Sequence, residues 1–441
     1  MKTWLIAIVA LFSVCTTTAH AAPLGSRSTL DNGAILLVAE RPGIPMAVMS
    51  ITLKTGAAAD PAGKEGVANL TAELLTRGTK KHTAQTLAED LDFLGASLSV
   101  ETDNETTTIA LTSLTKNLEP ALDLLAEVLL EPTFPPSELA LKRKEIEGDL
   151  RSREEQPGWV AQRAFLAKLY AGHPYGRLVE GQPSTLATLI QANVKKFHQE
   201  YYRPNNAIIA LAGDVSTAQA TALLQKHLAA WKQAPITDIA WPTDPQASAA
   251  RLTIDKKVSQ ANIILGHPAI ARSNPDYYAI QLVNYILGAR GTESRLMKRI
   301  REELGLVYHI GSTFVARKHA GPFMISFQTK NASTTQAVDE SLQVLRQLIS
   351  QGLTQEELEA ARAYFVNGFP LRLVSNRDVA NLLPVLEFYA LGLDYPDRYA
   401  ELMGQVTIEK IQAVAKTYLH PDQLLQVIVA DLAAAGLDKK E

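Results

Sequence analysis

Ten short runs rich in apolar and β-branched residues punctuate the chain, near 34–39, 46–54, 97–101, 106–112, 206–212, 251–255, 261–266, 306–315, 322–328 and 424–429. Between them, apolar positions recur every three or four residues, the spacing of one helix face. The two periods together predict strands alternating with groups of helices. That is an α+β chain whose helices collect on one side of each mostly antiparallel sheet. The opening stretch, TLDNGAILLVAERP followed by PMAVMSITLKTGA, has a hairpin-like pattern with Asn32-Gly33 as the turn signal.

The pattern occurs twice. TLATLIQANVKKFHQEYYRPNNAIIALAGD, from Thr185, and TIEKIQAVAKTYLHPDQLLQVIVAD, from Thr407, each show an amphipathic helix with a Thr N-cap, a proline turn and an apolar strand. Each strand ends in an acid, Asp214 or Asp431, and the turn prolines Pro204 and Pro421 lie 217 residues apart. Upstream, LEPALDLLAEVLLEPTFPPSELALKRKEIEGDL and TTQAVDESLQVLRQLISQGLTQEELEAARAYF both read as helix, break and second helix. In the latter, Thr354 and Glu357 form a capping box. These correspondences predict two similar halves, 22–230 and 250–441. The linker 231–249, WKQAPITDIAWPTDPQASA, has three prolines and few periodic apolar positions.

Composition and the N-terminus narrow the setting. Lys2 precedes the apolar run Trp4 to Val14, which is followed by Ala19-His20-Ala21. This is the form of a cleavable secretory signal over 1–21. Its eleven residues fall well short of the roughly 20 that a membrane anchor needs. Cys15, the single cysteine, lies inside it, so the mature chain has neither disulfides nor thiolate metal ligands. An exported chain without disulfides suits a bacterial periplasm. A net charge of −3 with both signs interspersed offers no basic patch for nucleic acid or an anionic membrane. At 441 residues and 46% hydrophobic, the chain is long enough to bury full cores without staples.

The segment GKEGVANLTAELLTRGT, Gly63 to Thr79, reads as a helix with Val67, Leu70 and Leu74 on one stripe. At about 100° per residue, Asn69, Ala72 and Glu73 gather on the side away from it. Taken alone they describe either a solvated polar face or a surface turned to a cavity. In the second half, SRLMKRIREELGLVYHIGSTF reads as a helix stopped by Gly305 and followed by a strand. Arg301 falls in the last helical turn and Tyr308 early on the strand. Read by themselves, they are an arginine complementing the helix dipole and a half-buried strand tyrosine.

With the hairpin before it and KTGAAADPAGKEGVA leading in, the Gly63 to Thr79 segment resembles the metal helix of the pitrilysin/insulinase (M16) zinc peptidases. These are inverzincins with the fingerprint H-x-x-E-H. The likeness also covers LLTRGT, GHPYG (Gly172 to Gly176), YYRPNNAIIALAGD and the two-half organisation, nearly all of the mature chain. It implies a LuxS/MPP-like metallopeptidase fold. The fingerprint itself is broken. Asn69 and Glu73 stand at the two histidine positions and Ala72 at that of the glutamate. The family's third ligand, a glutamate on a later helix, falls at Asp149, 76 residues beyond Glu73 (149 − 73).

A hydrolytic zinc is held by three imidazole or carboxylate ligands and keeps a fourth position for water. A neutral Asn amide is a poor replacement, and Glu73 with Asp149 leaves at most two good ligands. The glutamate of the intact fingerprint takes a proton from the zinc-bound water, which the Ala72 methyl cannot do. Metal binding and base catalysis are thus lost independently. The nine histidines include no pair within five residues of each other. The one remaining alternative is a hard cation between Glu73 and Asp149.

The second-half segment resembles the family's Arg/Tyr element, which reaches the active site from the C-terminal half. There it binds substrate backbone and polarises the scissile carbonyl. Arg301 and Tyr308 keep its residues and its spacing. One branch of the family works as pairs, a zinc-bearing subunit beside a metal-free one that supplies this element. The resemblance therefore implies a periplasmic, non-catalytic, substrate-binding subunit of a heterodimeric zinc endopeptidase. Its zinc would lie in a homologous partner, and its substrates would be peptides. A second reading is a metal-free structural or peptide-binding chamber with no part in hydrolysis.

Overall fold

The computed structural model describes residues 23–438. The export signal expected at 1–21 lies outside the described residues. One sheet contains β1 (Ser26–Thr29), β2 (Ile35–Glu40), β3 (Met46–Leu53), β4 (Ser97–Thr102), β5 (Thr107–Leu114) and β6 (Ala207–Gly213) in the order β1-β2-β6-β3-β5-β4. A second contains β7 (Ala250–Asp255), β8 (Gln260–Pro268), β9 (Val307–Phe314), β10 (Pro322–Lys330) and β11 (Leu425–Ala430) in the order β7-β11-β8-β10-β9.

Leaving out β1, the two orders superimpose strand for strand. In each, the first pair is parallel, β2 with β6 and β7 with β11, and the remaining pairs are antiparallel. The α+β architecture in two similar halves is therefore present, and all ten expected strands are found. The eleventh, β1, reads SRST and has no apolar residue to announce it.

Three local expectations are corrected. The runs containing β2 and β3 are not partners, because β6 lies between them. The Asn32-Gly33 turn instead joins β1 to β2, with Gly33 at φ 85° and Asn32 Oδ1 accepting from the Ala34 amide at 3.1 Å. Thr185 does not cap a long helix: the helix begins at Gln191, and Thr185 Oγ1 donates to the Glu65 carbonyl at 2.8 Å. Its counterpart Thr407 does cap, accepting from the Lys410 amide. The Thr354/Glu357 capping box forms as expected, at 3.1 and 2.9 Å.

Each sheet has its own helices on one face. The other face is covered by a helix from the opposite half. Helix Pro157–Leu169 lays Ala161 and Phe165 against Ile264, Leu425, Val427 and Val429 of the second sheet. Reciprocally, helix Asn376–Phe388 lays Val379, Ala380 and Leu383 against Leu37, Val48, Ile208 and Ala210 of the first. The cause lies in the central strands. Every residue of β6, AIIALAG, is buried, so both of its faces need apolar cover. Gly266 lets the Phe165 ring approach, since a Cβ there would stand 2.6 Å from Phe165 Cζ.

Residues 231–249 have no regular secondary structure. They lie against the junction of the halves, where Trp241 stacks on His319 with ring centres 4.3 Å apart. Nearby, the buried Glu105 carboxylate accepts from the Tyr175 hydroxyl, from the Lys318 amide at 3.0 Å and from the Tyr389 hydroxyl at 3.3 Å. The tyrosine of GHPYG thus joins the two halves.

Candidate functional site

The expected helix over Gly63 to Thr79 is regular only across Val67–Leu74. Gly66, at φ 97°, cannot belong to a right-handed helix, and it begins the turn. The buried Asp60 carboxylate accepts from the Gly66 amide at 2.6 Å and the Ala68 amide at 2.9 Å, satisfying donors that a helix start leaves open. Burial pushes the Asp60 carboxyl up to about 7, against these hydrogen bonds. Val67, Leu70 and Leu74 form the buried stripe.

On the far side, Asn69 and Glu73 are half-buried, one turn apart. Ala72 is 2% exposed, not solvent-facing as the helical wheel implies. The helix packs against β4 and against helices Pro136–Glu154 and Gln191–Tyr201, and its far side is only partly covered.

What Glu73 meets there is an ammonium. Lys142, on helix Pro136–Glu154, places Nζ 3.1 Å from Glu73 Oε2 and 2.7 Å from Glu145 Oε2, with only 13% of its side chain exposed. Burial works against the charge of Lys142. Hydrogen bonds to Glu145 and Glu73 outweigh it and hold the pKa above that of an ordinary lysine. Asp149 lies on the same helix, about 10 Å farther along its axis at 1.5 Å per residue, and is exposed.

These residues do not fit a zinc ion. The Asn69 amide is a weak donor, Glu73 is engaged by a cation that would repel a dication, and Asp149 points to solvent. Among the described residues, no group of three or more His, Cys, Asp or Glu side chains is arranged to hold a metal. Lys142 likewise opposes a hard cation at Glu73. Sequence reasoning did not single out Lys142, because KRKE within a helix reads as a solvated face.

In the second half, the segment before Gly305 is π-helical over Met297–Glu303, with the Leu304 amide donating to the Arg299 carbonyl at 3.2 Å. Short π segments often occur at functional sites. Gly305, at φ 62°, ends it as expected. Arg299 is engaged by Glu303 and Glu340, both at 2.9 Å, whereas Arg301 takes part in no ion pair among the described residues. The Arg301 guanidinium lies 5.1 Å from the centre of the Tyr308 ring.

Tyr308 is not half-buried but 83% exposed. The register explains why. Val307 pairs with Thr329 and Ile310 with Phe327, so Tyr308 and His309 both stand opposite Gln328. This is a β-bulge, and bulges re-aim side chains. It turns Tyr308 outward on β9, the edge strand of its sheet. The half-buried Arg301 guanidinium and the exposed Tyr308 hydroxyl then lie side by side, both able to donate to a carbonyl or a developing oxyanion. No hydrogen bond or ion pair among the described residues joins either to helix Val67–Leu74.

Beside Tyr308 lies a cleft of about 700 Å3 between helix Pro157–Leu169 and strands β8, β9 and β10. A cleft of about 810 Å3 elsewhere in the first half, lined by Glu127, His198 and Arg203, touches neither Arg301 nor Glu73. No helix among the described residues is long and apolar enough to cross a membrane.

Two family models match the chain. One, described as "Insulinase (Peptidase family M16)", covers residues 36–182, and the other, "Peptidase M16 inactive domain", covers 189–365. A solved structure described as a peptidase M16 inactive domain, from Pseudomonas fluorescens, is 30% identical and superimposes with a TM-score of 0.86, covering 92% of this chain and 97% of that one. A protein of Mycobacterium leprae named as an uncharacterized zinc protease is 25% identical over 89% of each chain. The periplasmic protease PqqL of Escherichia coli shares the fold, at 17% identity and a TM-score of 0.78. It covers 97% of this chain and 49% of its own length.

Proposed function

The chain belongs to the insulinase, or M16, family of peptidases, and from that membership we propose that it is the non-catalytic, substrate-binding subunit of a heterodimeric zinc endopeptidase in the periplasm. A homologous zinc-bearing subunit supplies metal and general base. This chain supplies Arg301 and Tyr308 in trans, to hold a peptide and polarise its scissile carbonyl.

The observation that carries this reading is the contrast between the two elements. The metal helix has lost its base at Ala72, and its Glu73 is neutralised by Lys142. The Arg/Tyr pair is intact, its tyrosine is exposed, and Arg301 has no acid partner among the described residues.

The test is co-expression with a zinc-motif homologue. The purified pair and each subunit are assayed on a quenched peptide library. The pair is expected to be active and this chain alone inactive. A partner as active alone as in the pair, or no complex at all, leaves the peptide-binding chamber as the better reading.

A further inference from the structure

The cleft beside Tyr308 owes its form to the incomplete cover of the second sheet. Helix Pro157–Leu169 rests on β11 and β8 and leaves the same face of β10 and the edge strand β9 open. Strand alternation decides which side chains enter it. Asn262 stands opposite Gln328, and Ile264 opposite Ser326, on the open face, while Phe323, Ile325 and Phe327 point into the core. The cleft walls mix the amides and hydroxyls of Gln162, Gln260, Asn262, Gln328, Ser326 and Thr313 with apolar side chains such as Ile264, Val315 and Met324, and they include His309 but no Asp, Glu, Lys or Arg.

The fold does not impose this neutrality. The equivalent cleft of the first half, between helix Asn376–Phe388 and strands β3, β4 and β5, is lined by Glu101, Asp103 and Glu105. Two of the four amides in this cleft are paired with each other and two are not. Gln328 Nε2 donates to Asn262 Oδ1 at 2.8 Å, and Asn262 Nδ2 to the Gln260 carbonyl at 3.2 Å. The side-chain amides of Gln162 and Gln260 make no hydrogen bond among the described residues.

A carboxamide presents the same donors and acceptor as a peptide bond, so such walls match main chain. A charged side chain entering there would lose hydration without gaining a counter-charge.

We infer that this cleft binds an extended, uncharged stretch of peptide, recognising its main chain through Gln162, Gln260, Asn262 and Gln328 and disfavouring acidic or basic side chains. The inference rests on the substrate-binding reading and names its substrate class. The bound stretch runs from the cleft to Tyr308 at its mouth, where Arg301 and Tyr308 meet the carbonyl beyond it.

The test uses the purified chain alone and three fluorescein-labelled decapeptides. One is built of Ala, Ser, Gln and Val, and the other two carry a pair of Glu or a pair of Lys at its centre. Fluorescence polarisation is expected to show the neutral peptide binding about tenfold more tightly than either charged one. Gln328→Lys is expected to move the preference to the Glu peptide, and Gln162→Lys, on the exposed helix surface, to do the same if the strand variant folds poorly. Equal binding of all three peptides, binding of none, or an unchanged order in a folded variant overturns the inference. No partner is present, so these outcomes stand apart from failure of the subunit reading, which appears only in the assay of the pair.

Discussion

The Arg301 guanidinium lies 5.1 Å from the centre of the Tyr308 ring, on the exposed edge of the second sheet. The cation is thereby held over the ring face, and the hydroxyl stays free to donate. Removing one donor to a developing oxyanion typically costs about 10²–10³ in turnover. In the proposed pair with a zinc-bearing homologue, Tyr308→Phe and Arg301→Ala are each expected to lower kcat by about 10²-fold. Tyr308 is exposed and the half-buried Arg301 takes part in no ion pair among the described residues, so melting temperatures stay close to the parent. Unchanged kcat in both variants argues for a chamber without a part in hydrolysis.

Lys142 neutralises Glu73 and Glu145 from a mostly buried position. Lys142→Met leaves two neighbouring carboxylates without their cation. Stability is expected to fall by about 1 kcal/mol, seen as a lowered denaturant midpoint. Zinc titration of the same variant, followed by calorimetry and metal analysis, is expected to give no binding. Removing the ammonium restores neither the Asn69 ligand nor the base at Ala72.

Two buried histidines make the fold acid-sensitive. Burial pushes both His198 and His267 down to about 4. His198 donates from Nε2 to the Leu129 carbonyl at 2.9 Å. His267 donates from Nδ1 to the Pro268 carbonyl at 2.7 Å and accepts at Nε2 from the His420 amide at 3.3 Å, so a second proton would break a bond. Between pH 6.5 and 4 each is protonated in the unfolded chain and neutral in the folded one. Stability therefore declines as pH is lowered through that window, by up to about 3 kcal/mol per histidine. His198→Gln and His267→Asn each keep one donor, and thermal melts of these variants are expected to show a shallower pH dependence.

Phe165 is fully buried against the sheet of the opposite half. Phe165→Ala is expected to destabilise the chain by about 3–5 kcal/mol. The cavity opens between the halves, so calorimetry is expected to show the two halves of the variant melting at more widely separated temperatures than those of the parent.

Much was legible in the primary structure because it is encoded locally. Strand and helix periods repeat over a few residues, so all ten expected strands, the duplicated pattern and the Thr354/Glu357 cap could be read directly. Even the need for cover on both faces was written in AIIALAG, though not which helix supplies it.

Three features belong to the tertiary structure alone. Lys142 reaches Glu73 across 69 residues (142 − 73), and nothing local distinguishes it from its neighbours in KRKE. The exchange of helices Pro157–Leu169 and Asn376–Phe388 between halves depends on which sheet face each finds uncovered. The bulge that exposes Tyr308 is a relation of register between β9 and β10, invisible in either strand by itself. Periodicity determines what a segment becomes, whereas adjacency, set by burial of distant apolar surface, decides what each side chain meets.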